Sequence, residues 1–158
     1  MTKDAAHTTF WQTTDFMLLI ILVGGFSLDY FYPRPISIEM FDLSRTLAGG
    51  LMFAIGLAVI IQAKREFKRH TQASAPGQPT TKIVKSGIFS LSRNPLYLGI
   101  VLAVPGFGIA INNSWFVLLD LPLLVAIHVL LILPEEKYLL GKFKDDYLSY
   151  MTKVRRWI

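Results

Sequence analysis

Between Ser90 and Gly99 the chain reads SLSRNPLYLG, which sets a guanidinium, an amide, a phenol and a glycine at the edge of an apolar run. Arg93 offers a planar fork of N–H donors suited to a carboxylate or phosphate. Tyr97 can turn an aromatic face toward a cation. Gly99 allows a close approach of backbone to whatever lies beside it. Each residue also has a local reading. Asn94 suits a helix cap and Pro95 the first helical position. Arg93 suits an interfacial anchor and Tyr97 an aromatic belt.

A second group follows Pro134, where Glu135 and Glu136 stand side by side. Paired carboxylates at the end of a membrane helix can bind a cation. They also complement the positive end of a helix dipole without any ligand. His128 lies inside the apolar run just before them, where a polar ring faces a partner or a cavity. It is seven residues from Glu135, so the two share a helix face if Pro134 does not bend the chain. A structural hydrogen bond is the alternative role for His128. Asp120 is nearer the other end of that run and suits an aqueous edge. No metal site is expected, because His7, His70 and His128 are far apart and no ligand spacing appears. With no cysteine, disulfides and thiolate chemistry are excluded. A P-loop and a full GxGxxG are absent too.

The elements that must position these groups are apolar blocks. Of the 158 residues, 53% are hydrophobic, and they fall in runs of about Phe16–Tyr32, Leu43–Ala63, Leu96–Ile111 and Trp115–Leu133. Each is near the ~20 residues that a helix needs to cross the hydrocarbon, and the third is short. The expected fold is therefore all-α: a polytopic membrane protein of about four transmembrane helices. It forms a single membrane domain over 1–158, divided into two helices (1–63), a cytoplasmic loop (64–95), a helical hairpin (96–133) and an amphipathic tail helix (134–158). Asn112-Asn113-Ser114 allows only a tight turn within the hairpin, and Pro105, Gly106 and Gly108 are expected to bend its first arm. In the tail, Leu139, Phe143, Tyr147, Tyr150, Met151 and Val154 recur at helical spacing. The N-terminal MTKDAAHTTFWQ lacks a basic leader, so the first apolar run reads as a retained helix. TQASAPGQPTTK reads as a surface loop.

Net charge is +5, and the basic residues flank the apolar blocks. A membrane surface suits that pattern better than nucleic acid. Lys and Arg crowd the stretch from Lys64 to Arg93 and the tail from Lys137 to Arg156, whereas the hairpin turn has none. The positive-inside rule then puts both termini, the central loop and both polar clusters in the cytoplasm, at the inner membrane if the source is bacterial.

Taken jointly, TTKIVKSGIFSLSRNPLYLG, a hairpin, and LPEEKYLLGKF resemble the isoprenylcysteine carboxyl methyltransferase and phospholipid methyltransferase superfamily of integral membrane enzymes. The likeness runs from about Gly56 to Ile158. It implies methyl transfer from S-adenosylmethionine, with S-adenosylhomocysteine as product, to a lipophilic acceptor in the membrane lipid. It also implies a cofactor pocket from Val84, Lys85, Gly87, Arg93, Asn94, Tyr97, Leu98, Gly99, Glu135 and Glu136. Glu136, His128 and Arg93 are the implied catalytic groups.

Two departures bear on the acceptor. Asn94 stands where carboxyl methyltransferases carry His, and Leu133-Pro134 stand where they often carry Arg. A phospholipid-type amine is therefore favoured slightly over a prenylcysteine carboxylate. From the residues alone, a non-catalytic scaffold or small transporter also fits four spans with intramembrane Asp120 and His128.

Overall fold

A computed structural model describes residues 13–36, 42–71 and 81–158. The segments that hold His7 and most of the TQASAPGQPTTK stretch lie outside the described residues. The described chain is helical: α1 (Thr14–Phe31), α2 (Asp42–Arg69), a short 3-10 turn (Gly87–Ser90), α3 (Pro95–Ala110), α4 (Ser114–Ala126) and α5 (Leu133–Lys153). A π-helical stretch, Ile127–Ile132, joins α4 to α5. α1, α2 and the continuous α4–α5 helix are long and apolar enough to cross a membrane, and α3 is a shorter apolar helix. These are the four expected blocks. Large apolar residues such as Val23, Leu51, Leu121 and Val125 remain exposed on the outer surface, as a lipid-facing shell requires.

Burial inside the bundle is narrow and specific. Met17, Ile21, Ile100, Val104, Phe116, Leu123, Ile127 and Leu131 form the main core. Lipid tails offer no hydrophobic drive between helices, so backbone approach and packing hold the bundle together. α2 and α3 meet at Gly56 and Gly99. A Cβ on Gly56 would lie 2.6 Å from the Gly99 carbonyl oxygen, and one on Gly99 would lie 2.7 Å from the Gly56 oxygen. At one end of the bundle, Asn112 accepts the Ile36 N–H at 3.0 Å and Asn113 caps α4 through Trp115 N at 2.9 Å. The segment after α1 and the hairpin turn therefore lie together. The segment 84–93 and the tail lie at the opposite end.

Neither Pro105 nor Pro134 interrupts its helix. Pro105 lies inside a continuous α3. Pro134 does not separate the fourth span from the tail either, because the chain stays helical through it. Proline lacks the N–H that would bond its i−4 carbonyl. The π stretch immediately before it widens the turn, and Leu133 N–H bonds the His128 carbonyl five residues back. The break falls instead at Lys144, with φ 45° and ψ −117° inside α5. It divides the tail into two helical pieces, and the second returns Tyr147 and Tyr150 to buried positions.

Candidate functional site

The N-terminal turn of α3 and the start of α5 face each other, and the residues Val154–Ile158 fold against both. Asn94 is at the N-cap of α3 with Pro95 in its first turn, as the sequence suggests. The side chain does not cap, however. Its Nδ2 donates to the Arg156 carbonyl at 3.0 Å, while its own N–H is taken by Ser92 Oγ at 3.1 Å. The helix cap expected of Asn94 is replaced by a long-range tie. Arg93 N–H donates to the Arg155 carbonyl at 3.0 Å, and Ser92 Oγ to the Arg156 carbonyl at 3.3 Å.

The two glutamates have different partners. Glu136 is buried, and Arg93 Nη2 sits 3.1 Å from its Oε1. Arg156 grips the same carboxylate with two bonds, Nε to Oε1 at 3.0 Å and Nη2 to Oε2 at 2.7 Å. Those hydrogen bonds raise the pKa of the Arg156 guanidinium above its ordinary value and keep it charged. Glu135 has one protein donor among the described residues, the Tyr97 hydroxyl at 3.1 Å from Oε2. Arg93 is only 7% exposed, yet its Nε and Nη1 are buried without a hydrogen-bond partner among the described residues. Buried N–H groups are nearly always paired. This pair of open donors is therefore suited to an acceptor brought by a ligand.

The remaining sequence candidates divide into neighbours and supports. His128 lies in the π stretch, and its ring stacks on the Trp157 indole with centroids 6.5 Å apart at 24°. No hydrogen bond among the described residues joins it to either glutamate. The π stretch, Ile127–Ile132, contains His128 and leads into the turn of Glu135. Val84 is buried against Ala63 and Phe89. Lys85 pairs with Asp146 of α5, tying the loop to the tail. Leu98 bonds the Asn94 carbonyl as the first helical rung of α3, at 3.0 Å. Gly99 faces α2, where it serves helix packing.

Gly87 adopts φ +59°, a conformation that suits glycine, and a Cβ there would lie 2.9 Å from Glu66 Oε2. Glu66 was not anticipated from sequence. It is buried at 6% exposure. Ser86 Oγ and Arg69 donate to it, and His70 lies 3.3 Å away. A lone carboxylate near a basic helix end carries no signal until the 84–87 turn is seen folding onto it. Arg156 and Trp157 were missed in the same way. Asp120 lies on α4 with Oδ1 buried and, among the described residues, without a hydrogen-bond partner, but it belongs to the half of the helix that begins at the other end of the bundle.

Beyond the first turn of α3 the interior is apolar. A cavity of about 260 Å³ is lined by Leu18, Leu22, Phe53, Ile60, Val104 and Phe116, among others, from α1, α2, α3 and α4. Among the described residues, no polar side chain lines it.

A family model described as phospholipid methyltransferase matches residues 44–146. Among curated proteins, the chain is similar to the protein-S-isoprenylcysteine O-methyltransferase of Saccharomyces cerevisiae. The two are 38% identical over 78 residues, which is 46% of this chain and 30% of the yeast protein. It is also similar to a protein of unstated function from Haemophilus influenzae, 35% identical over 63 residues, which is 40% of this chain and all of that one. The chain thus spans less than a third of the length of the yeast relative. No solved structure matches significantly.

Proposed function

Because this chain belongs to the phospholipid methyltransferase family, we propose that it transfers a methyl group from S-adenosylmethionine to a lipophilic acceptor in the membrane, leaving S-adenosylhomocysteine. The observation that carries this reading is the meeting of Arg93, Tyr97, Glu135 and Glu136 at one end of the bundle, with an apolar cavity farther along α3. The residues suit the donor. Its amino-acid carboxylate fits the open Nε and Nη1 of Arg93, and its ammonium fits Glu135. When bound, S-adenosylmethionine supplies an electrophilic methyl on a sulfonium.

The chain's own residues do the rest. Tyr97 orients Glu135 through its hydroxyl. The tail covers the α3 turn and limits water, which strengthens every charge contact beneath it. The apolar cavity takes the acceptor's chain and holds its head near the first turn of α3, which converts an encounter into a positioned reaction. An amine head must lose a proton as it is methylated. Glu136 is occupied by two guanidiniums and is a poor base. His128, stacked on Trp157, is the group left to accept that proton at an imidazole nitrogen. The Lys and Arg distribution supports a cytoplasmic position for this end of the bundle.

An amine-headgroup phospholipid is the preferred acceptor, on the strength of Asn94 and of Leu133-Pro134. A carboxyl O-methyltransferase is the second reading. It is favoured by the name of the yeast relative, and the open donors of Arg93 would then hold the acceptor's carboxylate. The test offers both acceptors with labelled donor to one reconstituted preparation. Label on the amine lipid is expected. Base-labile label on a prenylcysteine alone would select the ester reading, and no label on either with no binding of S-adenosylhomocysteine would overturn methyl transfer.

A further inference from the structure

The segment Val154–Ile158 reaches Ser92, Arg93, Asn94, His128 and Glu136. Its backbone carbonyls take the N–H of Arg93, the amide of Asn94 and the hydroxyl of Ser92. Trp157 packs on the main core and stacks on His128. Arg156 holds both oxygens of Glu136. We infer that this segment is a wall of the donor site and that Arg156 is a positioning residue: it fixes Glu136 and leaves Glu135 as the carboxylate that faces the donor's cationic head. The inference rests on the methyltransferase reading above.

The two glutamates differ in how far the protein compensates them. Glu136 carries one negative charge and meets two guanidiniums, Arg93 and Arg156, so no charge is left on it for a third cation. Among the described residues Glu135 meets a neutral phenol, and none of them supplies it a counter-charge. A ligand cation therefore gains more at Glu135. A displaceable latch, with Arg156 standing in for the donor's ammonium, is the competing arrangement. It is disfavoured by what displacement would expose. Asn94 is 7% exposed and Ser92 1%, and withdrawing the segment would strip Arg93 N–H and the Asn94 amide of their acceptors. Buried donors left without partners are costly. The wall stays in place, and Arg156 works through Glu136 and Arg93 without touching the donor.

The test measures binding of S-adenosylhomocysteine by calorimetry to the full chain in detergent, with the folded fraction monitored by circular dichroism. The variants are Arg156→Gln and Arg156→Lys. Losing a charge-assisted pair should weaken binding about tenfold or more in Arg156→Gln. Arg156→Lys, which keeps the charge and loses the fork, should fall between it and the parent. In the transfer assay the donor KM should rise with a smaller change in kcat. A merely structural role would lower the bound stoichiometry and leave the dissociation constant of the folded fraction unchanged, and that result overturns the inference. Tighter binding in Arg156→Gln would identify a latch and overturn it too. If Arg156→Gln does not fold, the Arg156→Lys constant decides alone. A parent chain that binds no S-adenosylhomocysteine removes the methyltransferase reading, and the inference falls with it.

Discussion

The Tyr97 hydroxyl donates to Glu135 Oε2 at 3.1 Å and joins the first turn of α3 to the first turn of α5. These residues are 38 positions apart, with the whole hairpin between them. The bond closes the hairpin at the end that carries the candidate site. Tyr97→Phe keeps the ring and loses the donor. It should cost about 1.5–3 kcal/mol of stability or donor binding, since a hydrogen bond to a charged group is lost. Calorimetry of S-adenosylhomocysteine binding, beside thermal unfolding, checks it, and unchanged values in both would remove Glu135 from the site.

The two glutamates should respond differently to removal. Glu136→Ala leaves the buried guanidinium of Arg93 without its counter-charge and should destabilise by about 3–5 kcal/mol. Glu135→Ala breaks one hydrogen bond to a neutral phenol. It should change stability by about 1.5–3 kcal/mol, like Tyr97→Phe, while abolishing donor binding. Equal destabilisation with equal activity would mean that both serve only the start of α5.

His128→Phe retains an aromatic ring against Trp157 and loses the proton acceptor. If His128 takes the amine proton, methyl transfer to an amine lipid should fall by about 10²–10⁴. Binding of S-adenosylhomocysteine should stay near the parent value. Methyl transfer within a few-fold of the parent would reduce His128 to a packing partner of the indole.

Gly56→Ala places a methyl 2.6 Å from backbone atoms of α3. The helices must part there, at a cost of about 1–3 kcal/mol. Denaturation in detergent measures it. Because α2 carries Glu66 and α3 carries Tyr97, parting them should also weaken donor binding. A fully stable variant would show that the two helices can separate without cost.

The helical membrane architecture is legible in the sequence because hydrocarbon imposes it. Apolar runs near twenty residues have few alternatives in a bilayer, where every backbone group must be bonded within the chain. The tight turn at Asn112–Ser114 and the shortness of α3 follow from the same constraint. The motif residues Arg93, Tyr97, Glu135 and Glu136 are visible as polar groups at the thresholds of those runs. Their division of labour is not. Glu135 and Glu136 are adjacent and chemically identical, and a helix turns successive residues by about 100°, so tertiary neighbours give one to Tyr97 and the other to two arginines. Asn94 looks like a cap in sequence because capping is a local interaction. Only the return of Arg156, 62 residues later, supplies the carbonyl that its amide takes instead. The same holds for Glu66 under the 84–87 turn and for Trp157 on His128. Partners across such separations leave no periodic trace, so they were decided by the packing of the tail and loop onto one end of the bundle.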